Sequence, residues 1–148
     1  MTGPTTTAFT LFCDDLRQEA GGKLSAMGIY HGVMGIHGTE VLLPKLVAWN
    51  VLIFSGVWSS DDVQLQLLDG DQVLTETHFV MEPPQAELFN EVTDEDGHTM
   101  LNVPLEMIPF MARAGMALRV RITANGLDYQ SEVLRIVGQP SLEAGQSA

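Results

Sequence analysis

Two alternating runs joined by Asn125-Gly126 constrain this chain more than any other feature. Before the dipeptide, Met116, Leu118, Val120 and Ile122 alternate with Arg119 and Arg121; after it comes LDYQSEVLRIV. Successive side chains of a β-strand point to opposite faces, so a two-residue period marks a strand with one buried and one wet face. Asn and Gly both accept the positive φ that a tight hairpin demands. The pattern predicts a hairpin of residues 116–124 and 127–137. The same grammar occurs earlier: Val63, Leu65 and Leu67 alternate with Gln64 and Gln66, and the turn residues Asp69-Gly70-Asp71 lead into QVLTETHFV.

Further strands are predicted at 7–13, 23–30, 32–37 and 45–54, with a weaker one at 86–92. Residues 45–54 are apolar on both faces, with Trp49, Val51 and Ile53 on one and Leu46, Leu52 and Phe54 on the other. Such a strand belongs in the middle of a sheet, covered on both sides. Residues 107–113, within PLEMIPFMARAG, suit a short helical crossover, and Pro109 forbids a long helix there. Many short strands with regular turn signals and almost no helical period predict an all-β fold. The expected form is a single antiparallel β-sandwich, immunoglobulin-like or C2-like by analogy with the crossing segment, holding at most one short helix. Residues 1–6 and 138–148, rich in small and polar residues, read as tails around a domain at 7–137.

The chain has 148 residues, 19 Asp+Glu against 7 Lys+Arg, and a formal net charge of −12. Nucleic-acid affinity comes largely from Lys and Arg neutralising phosphates, so no nucleic-acid partner is expected, and no anionic membrane. The longest apolar run, LVAWNVLIF, is too short to cross a bilayer as a helix. The opening MTGPTTTAF lacks the basic and apolar regions of a secretory signal. With one cysteine, no internal disulfide forms, which suits a reducing compartment. The expected location is bacterial cytoplasm or a phage particle.

No catalytic constellation stands out, so no enzyme activity and no cofactor are expected. Asp14 and Asp15 follow Cys13, and negative neighbours raise a thiol pKa; Cys13 is expected to be a small buried core residue. None of His31, His37, His78 and His98 belongs to a His-x-x-x-His or His-Glu-x-x-His pattern. Acidic loops give weak calcium candidates at Asp61, Asp62, Asp94 and Asp96, because calcium takes six to eight oxygen ligands. Ordinary turn chemistry explains the same loops. The cluster Met107, Ile108, Phe110 and Met111 admits two readings, core-facing or subunit interface.

The stretch FCDDLRQEAGGKLSAMGIY, residues 12–30, reads as a strand, a polar corner and a return strand. Gly21-Gly22 permits the turn, and Asp14, Asp15, Arg17, Glu19 and Lys23 are placed to pair across it. The stretch also resembles the opening of a bacterial and bacteriophage family of small proteins of unknown function: Phe12-Cys13-Asp14-Asp15, then Arg17 and Glu19, Gly22-Lys23 and Ser25, then Gly28 and Tyr30. The resemblance implies an all-β domain of bacterial or phage origin and nothing about activity. Together these readings lead to a non-catalytic structural or protein-interaction module with protein partners, as a homo-oligomer or part of a larger assembly such as a phage particle. The alternative is a small-ligand or calcium-binding sandwich. The corner (Asp14, Asp15, Arg17, Glu19, Lys23, Tyr30) is the interaction candidate.

Overall fold

The alternating runs become strands that stack in two sheets around one core. The computed structural model describes residues 5–55, 61–81, 92–93, 99–124 and 127–139. The first sheet is antiparallel throughout, in the order β2 (Leu24–Ile29), β1 (Thr5–Gln18), β5 (Leu46–Ser55), β9 (Thr99–Met107), β8 (Val92–Thr93). The second runs β3 (Val33–His37), β13 (Leu134–Gln139), β11 (Ala117–Ala124), β6 (Asp61–Asp69), β7 (Gln72–Met81), with β12 (Leu127–Gln130) also on β11. A short ladder of β4 (Glu40–Leu43) and β10 (Phe110–Arg113) completes the β-sandwich.

The core lies between the sheets. Phe12, Leu46, Ala48, Leu52, Phe54, Leu101 and Leu105 from the first sheet join Val63, Leu65, Leu67, Leu118, Val120 and Ile122 from the second in one buried cluster. Each large apolar side chain removed from water contributes about 1.5–3 kcal/mol. The register is pinned by a polar residue inside this face. Asn50 of β5 lies opposite Thr10 of β1 and Val103 of β9 and is fully buried. Its Oδ1 accepts from the Thr10 hydroxyl at 2.7 Å, and its Nδ2 donates to the carbonyls of Ala48 and Val103 at 3.0 Å each. A one-residue slip of either neighbour would strand these buried groups and turn the apolar set outward.

Several expectations need correction. No helix forms among the described residues, and the expected crossover at 107–113 is strand, turn and strand: β9 ends at Met107, the chain turns through the cis peptide Ile108–Pro109, and β10 begins at Phe110. β4 and β9 were not anticipated. Pro104 obscures β9, yet β8 covers only Thr99 and Met100, so among the described residues no strand pairs with that side of β9 at Pro104, and a missing N–H is tolerated at such a place. The first strand reaches Gln18, so Asp14, Asp15 and Arg17 lie in β1 and not in the corner. The two end strands also reach past the 7–137 limits, to Thr5 and Gln139.

The return arm of the final hairpin pairs with β11 as expected but in two pieces, β12 and β13, interrupted around Ser131. β11 pairs with β12, but at Ser131 the ladder is diverted. The Ser131 N–H donates to the Val120 carbonyl at 2.8 Å, while the Val120 N–H donates to Ser131 Oγ at 2.9 Å and not to a backbone oxygen. β13 then rejoins β11, antiparallel, at Leu118↔Leu134 and Ala117↔Arg135, and on its other side pairs in parallel with β3, so the sandwich is not purely antiparallel. The Asn125-Gly126 turn and most of the weak strand at 86–92 lie outside the described residues.

Replacing Asn50 with Ala should cost about 1–3 kcal/mol, the usual penalty for orphaning buried hydrogen-bond partners. Urea unfolding measures it. A loss below about 0.5 kcal/mol, typical of a neutral surface change, would show that Asn50 does not hold the register.

Candidate functional site

The motif at 12–30 folds as β1, a tight turn and β2. The Glu19 N–H donates to the Lys23 carbonyl at 2.7 Å, and Gly21 and Gly22 take φ of 82° and 78° across the turn, a region that favours glycine. Asp14 accepts a hydrogen bond from the Tyr30 hydroxyl. Gly28, with φ of 65°, lies beneath this contact, and a Cβ there would fall on the Asp14 side chain. Asp15 accepts from Arg17 Nε at 3.0 Å and from Lys45 Nζ at 2.8 Å, and Lys45 is 3.7 Å from Glu106. Arg17 pairs with an acid as expected, but along β1 and not across the corner. Glu19 and Lys23 contribute a backbone bond that closes the turn. Lys45 and Glu106 were missed: pairing Cys13 with Val47 brings Lys45 beside Asp15, a fact of register that local spacing does not carry.

Electrostatics follow this geometry. The hydrogen bonds from Lys45 and Arg17 hold the Asp15 carboxyl below its usual pKa of 3.8. Burial, then the hydrogen bond to Asp14 and its charge, pushes the Tyr30 phenol well above 10. Burial pushes the Cys13 thiol up, and the Asp14 and Asp15 charges add to this. Cys13 is buried, and a protonated, buried thiol is a structural residue, not a nucleophile.

The other candidates separate. Asp69-Gly70-Asp71 forms a turn tied to β11: Asp69 Oδ1 accepts from the Ala117 N–H, and the Gly70 N–H donates to the Ala117 carbonyl, both at 3.0 Å. Asp61 and Asp62 stand on β6, and Asp62 is exposed, 3.9 Å from His78. Asp94 and Asp96 lie outside the described residues. Among the described residues no group of three or more His, Cys, Asp or Glu is arranged to hold a metal. Phe110 belongs to the core and Met107 packs against it; Met111 is half-buried and Ile108 is exposed. The interface reading of that cluster therefore narrows to the Ile108 turn. A cleft of about 210 Å³ opens beside Tyr30 and His31, smaller than the roughly 300–1,000 Å³ of most ligand sites.

The least expected surface is the outer face of the first sheet. Strand register puts Leu11, Trp49 and Pro104 in one row, Phe9, Val51 and Asn102 in the next, then Thr7, Ile53 and Met100. The Trp49 indole N–H donates to Asn102 Oδ1 at 2.9 Å, and the Phe9 ring meets Trp49 edge-on at 6.4 Å. One end is closed by the β1–β2 hairpin, where Leu16, Gln18 and Leu24 line a cleft of about 180 Å³ with Asn102, Pro104 and Glu106. At the other end Phe9 is 44% exposed and Met100 39%. The outer face of the second sheet is polar by contrast: Arg121 grips Asp128 with two bonds of 3.1 Å, and Gln66 donates to Glu76 at 3.1 Å.

No family model matches this chain, and no curated protein matches it.

Two outcomes test the corner. Gly28→Ala should destabilise the fold by more than about 1 kcal/mol, because its backbone is left-handed and the new methyl displaces Asp14; chemical denaturation reads this directly. Asp15 should add stability that is fully present above pH 3.8 and lost as pH falls through its lower folded value. An Asp15→Asn variant should therefore show a flatter acid limb in unfolding measured against pH. Parallel acid limbs would remove Asp15 from the account.

Proposed function

We propose that this protein is a non-catalytic β-sandwich that works through protein contacts, as a subunit of a homo-oligomer or of a larger assembly. The observation that carries the reading is the apolar outer face of the first sheet, with Phe9, Trp49, Ile53 and Met100 along three strands. Contiguous apolar surface in water is unfavourable, and burying it against a partner recovers about 25 cal/mol per Å². The net charge of −12 supports a protein partner over nucleic acid or an anionic membrane. The motif Phe12-Cys13-Asp14-Asp15 with Arg17, Glu19, Lys23 and Tyr30 is engaged in holding the first hairpin, which supports a structural role for it. Its resemblance to bacterial and phage proteins supports a bacterial cytoplasmic setting or a place in a phage particle.

Multi-angle light scattering of the full chain tests the reading. The expected mass exceeds the 16.1 kDa of one chain and rises with concentration. Phe9→Ser combined with Met100→Ser should lower the assembled mass while leaving the circular dichroism spectrum unchanged. A wild-type chain that stays at 16.1 kDa to millimolar concentration, with no copurifying protein, contradicts it.

A further inference from the structure

Among the described residues the two large sheets end in the edge strands β2, β8, β3 and β7, which are unequal. β2 has six residues, β8 two and β3 five, whereas β7 has ten. No other described strand pairs with the outward side of β7, so alternate N–H and C=O groups along it point away from β6. A long edge strand is a template for another chain, and proteins usually blunt it with Pro, Lys, inward charges or bulges. Gln72–Met81 holds no Pro and no Lys. Its bulge lies near the turn, between the pairs Leu67↔Thr75 and Leu68↔Val73, and from Thr75 onward the ladder with β6 is regular. Thr75, Thr77 and Phe79 lie opposite Leu67, Leu65 and Val63, so no charge points inward; Glu76 and His78 take the outer face. Thr, Phe and Val favour strands.

We infer that β7 pairs antiparallel with β7 of a second copy of this chain, in a two-fold register centred on Thr77, joining two sandwiches through one continuous sheet. Residues directly opposite in a ladder must point to the same face, so a two-fold register has to centre on a residue. Centring on Glu76 sets the two Glu76 carboxylates against each other. Centring on His78 sets the imidazoles together and Glu76 against Val80. Centring on Thr77 sets each Glu76 carboxylate opposite the other copy's imidazole donor, twice by symmetry, with Thr75 opposite Phe79 and Thr77 on the axis. Opposite-charge and donor–acceptor pairs directly across a ladder stabilise it, and like charges there destabilise it. Isologous contacts of this kind are how most homodimers close. The inference rests on the protein-contact reading above and names a surface separate from the apolar face.

Sedimentation equilibrium of four full-length chains tests it: wild type, Glu76→Lys, His78→Glu, and the double exchange. Both residues are exposed, and matched melting curves confirm that the variants fold. Each single exchange should weaken the dimer about tenfold: His78→Glu sets carboxylate against carboxylate twice, and Glu76→Lys removes both acceptors that face the imidazole donors. The double exchange should restore wild-type affinity. Equal affinity in all four chains overturns the β7 register and leaves the protein-contact reading standing; monomers throughout overturn the inference, and the protein-contact reading falls with it only if no protein copurifies. Hydrogen exchange adds a second readout, because the amides of β7 that face away from β6 should gain protection as concentration rises. Full protection in a dilute monomer would mean that the edge is covered from within its own chain, and that also overturns the inference.

Discussion

A strand whose side chains are apolar on both faces has no wet side to offer, and Leu46–Ser55 is such a strand. Its place between β1 and β9 follows, since a central position is the one that shields both faces most. Leu46, Ala48, Leu52 and Phe54 then require the second sheet, whose alternating strands β6 and β11 supply Val63, Leu65, Leu67, Leu118, Val120 and Ile122. Asn50 fixes the register in which this happens. Val47 and Val51 are buried on the opposite face, where Phe9, Trp49 and Met100 remain partly in water. One requirement of the sequence, cover on both sides, is thus met within the described residues in full on the inner face and only in part on the outer. The protein-contact reading grows from that imbalance.

The corner at 12–30 shows how charge is arranged around this frame. A chain with net charge −12 places some of its few cations with care. Lys45 stands between Asp15 and Glu106, joining β1 to the start of β5 and the end of β9. Asp14 is held by the Tyr30 hydroxyl at the far end of β2, and Gly28 keeps the space between them open. Pairing of this kind orders a hairpin without adding a reactive group, because each partner is held in its resting protonation state: Asp15 ionised, Tyr30 neutral, Cys13 a thiol.

Local signals in the sequence were readable and distant ones were not. The strands around Asp69-Gly70-Asp71 and the start of the β11–β12 pair follow from alternation and turn residues that lie side by side in the chain. β4 and β9 escaped because Pro104 and the short apolar run of β4 carry no clear period. The parallel pairing of β13 with β3 joins segments from opposite ends of the chain and has no local mark. Asp14 to Gln18 are too polar to alternate cleanly, so the ladder with β2, not the pattern, makes them strand. The motif at 12–30 was legible as residues, but its main partner, Lys45, depends on register with β5. The apolar face could have been read from 45–54 alone: the expectation of cover on both sides was already its signature.

Oxidative footprinting of Met100 tests the central claim most directly. Met100 lies on the outer face beside Ile53 and is 39% exposed in the single chain. Hydroxyl-radical labelling across a concentration series, scaled to exposed Leu42, reports how much of that face stays in water. The account predicts that Met100 labelling falls as the chain assembles while Leu42 labelling holds. Equal labelling of both residues at every concentration, in samples that light scattering shows to be assembled, would mean that the apolar face is not the contact surface.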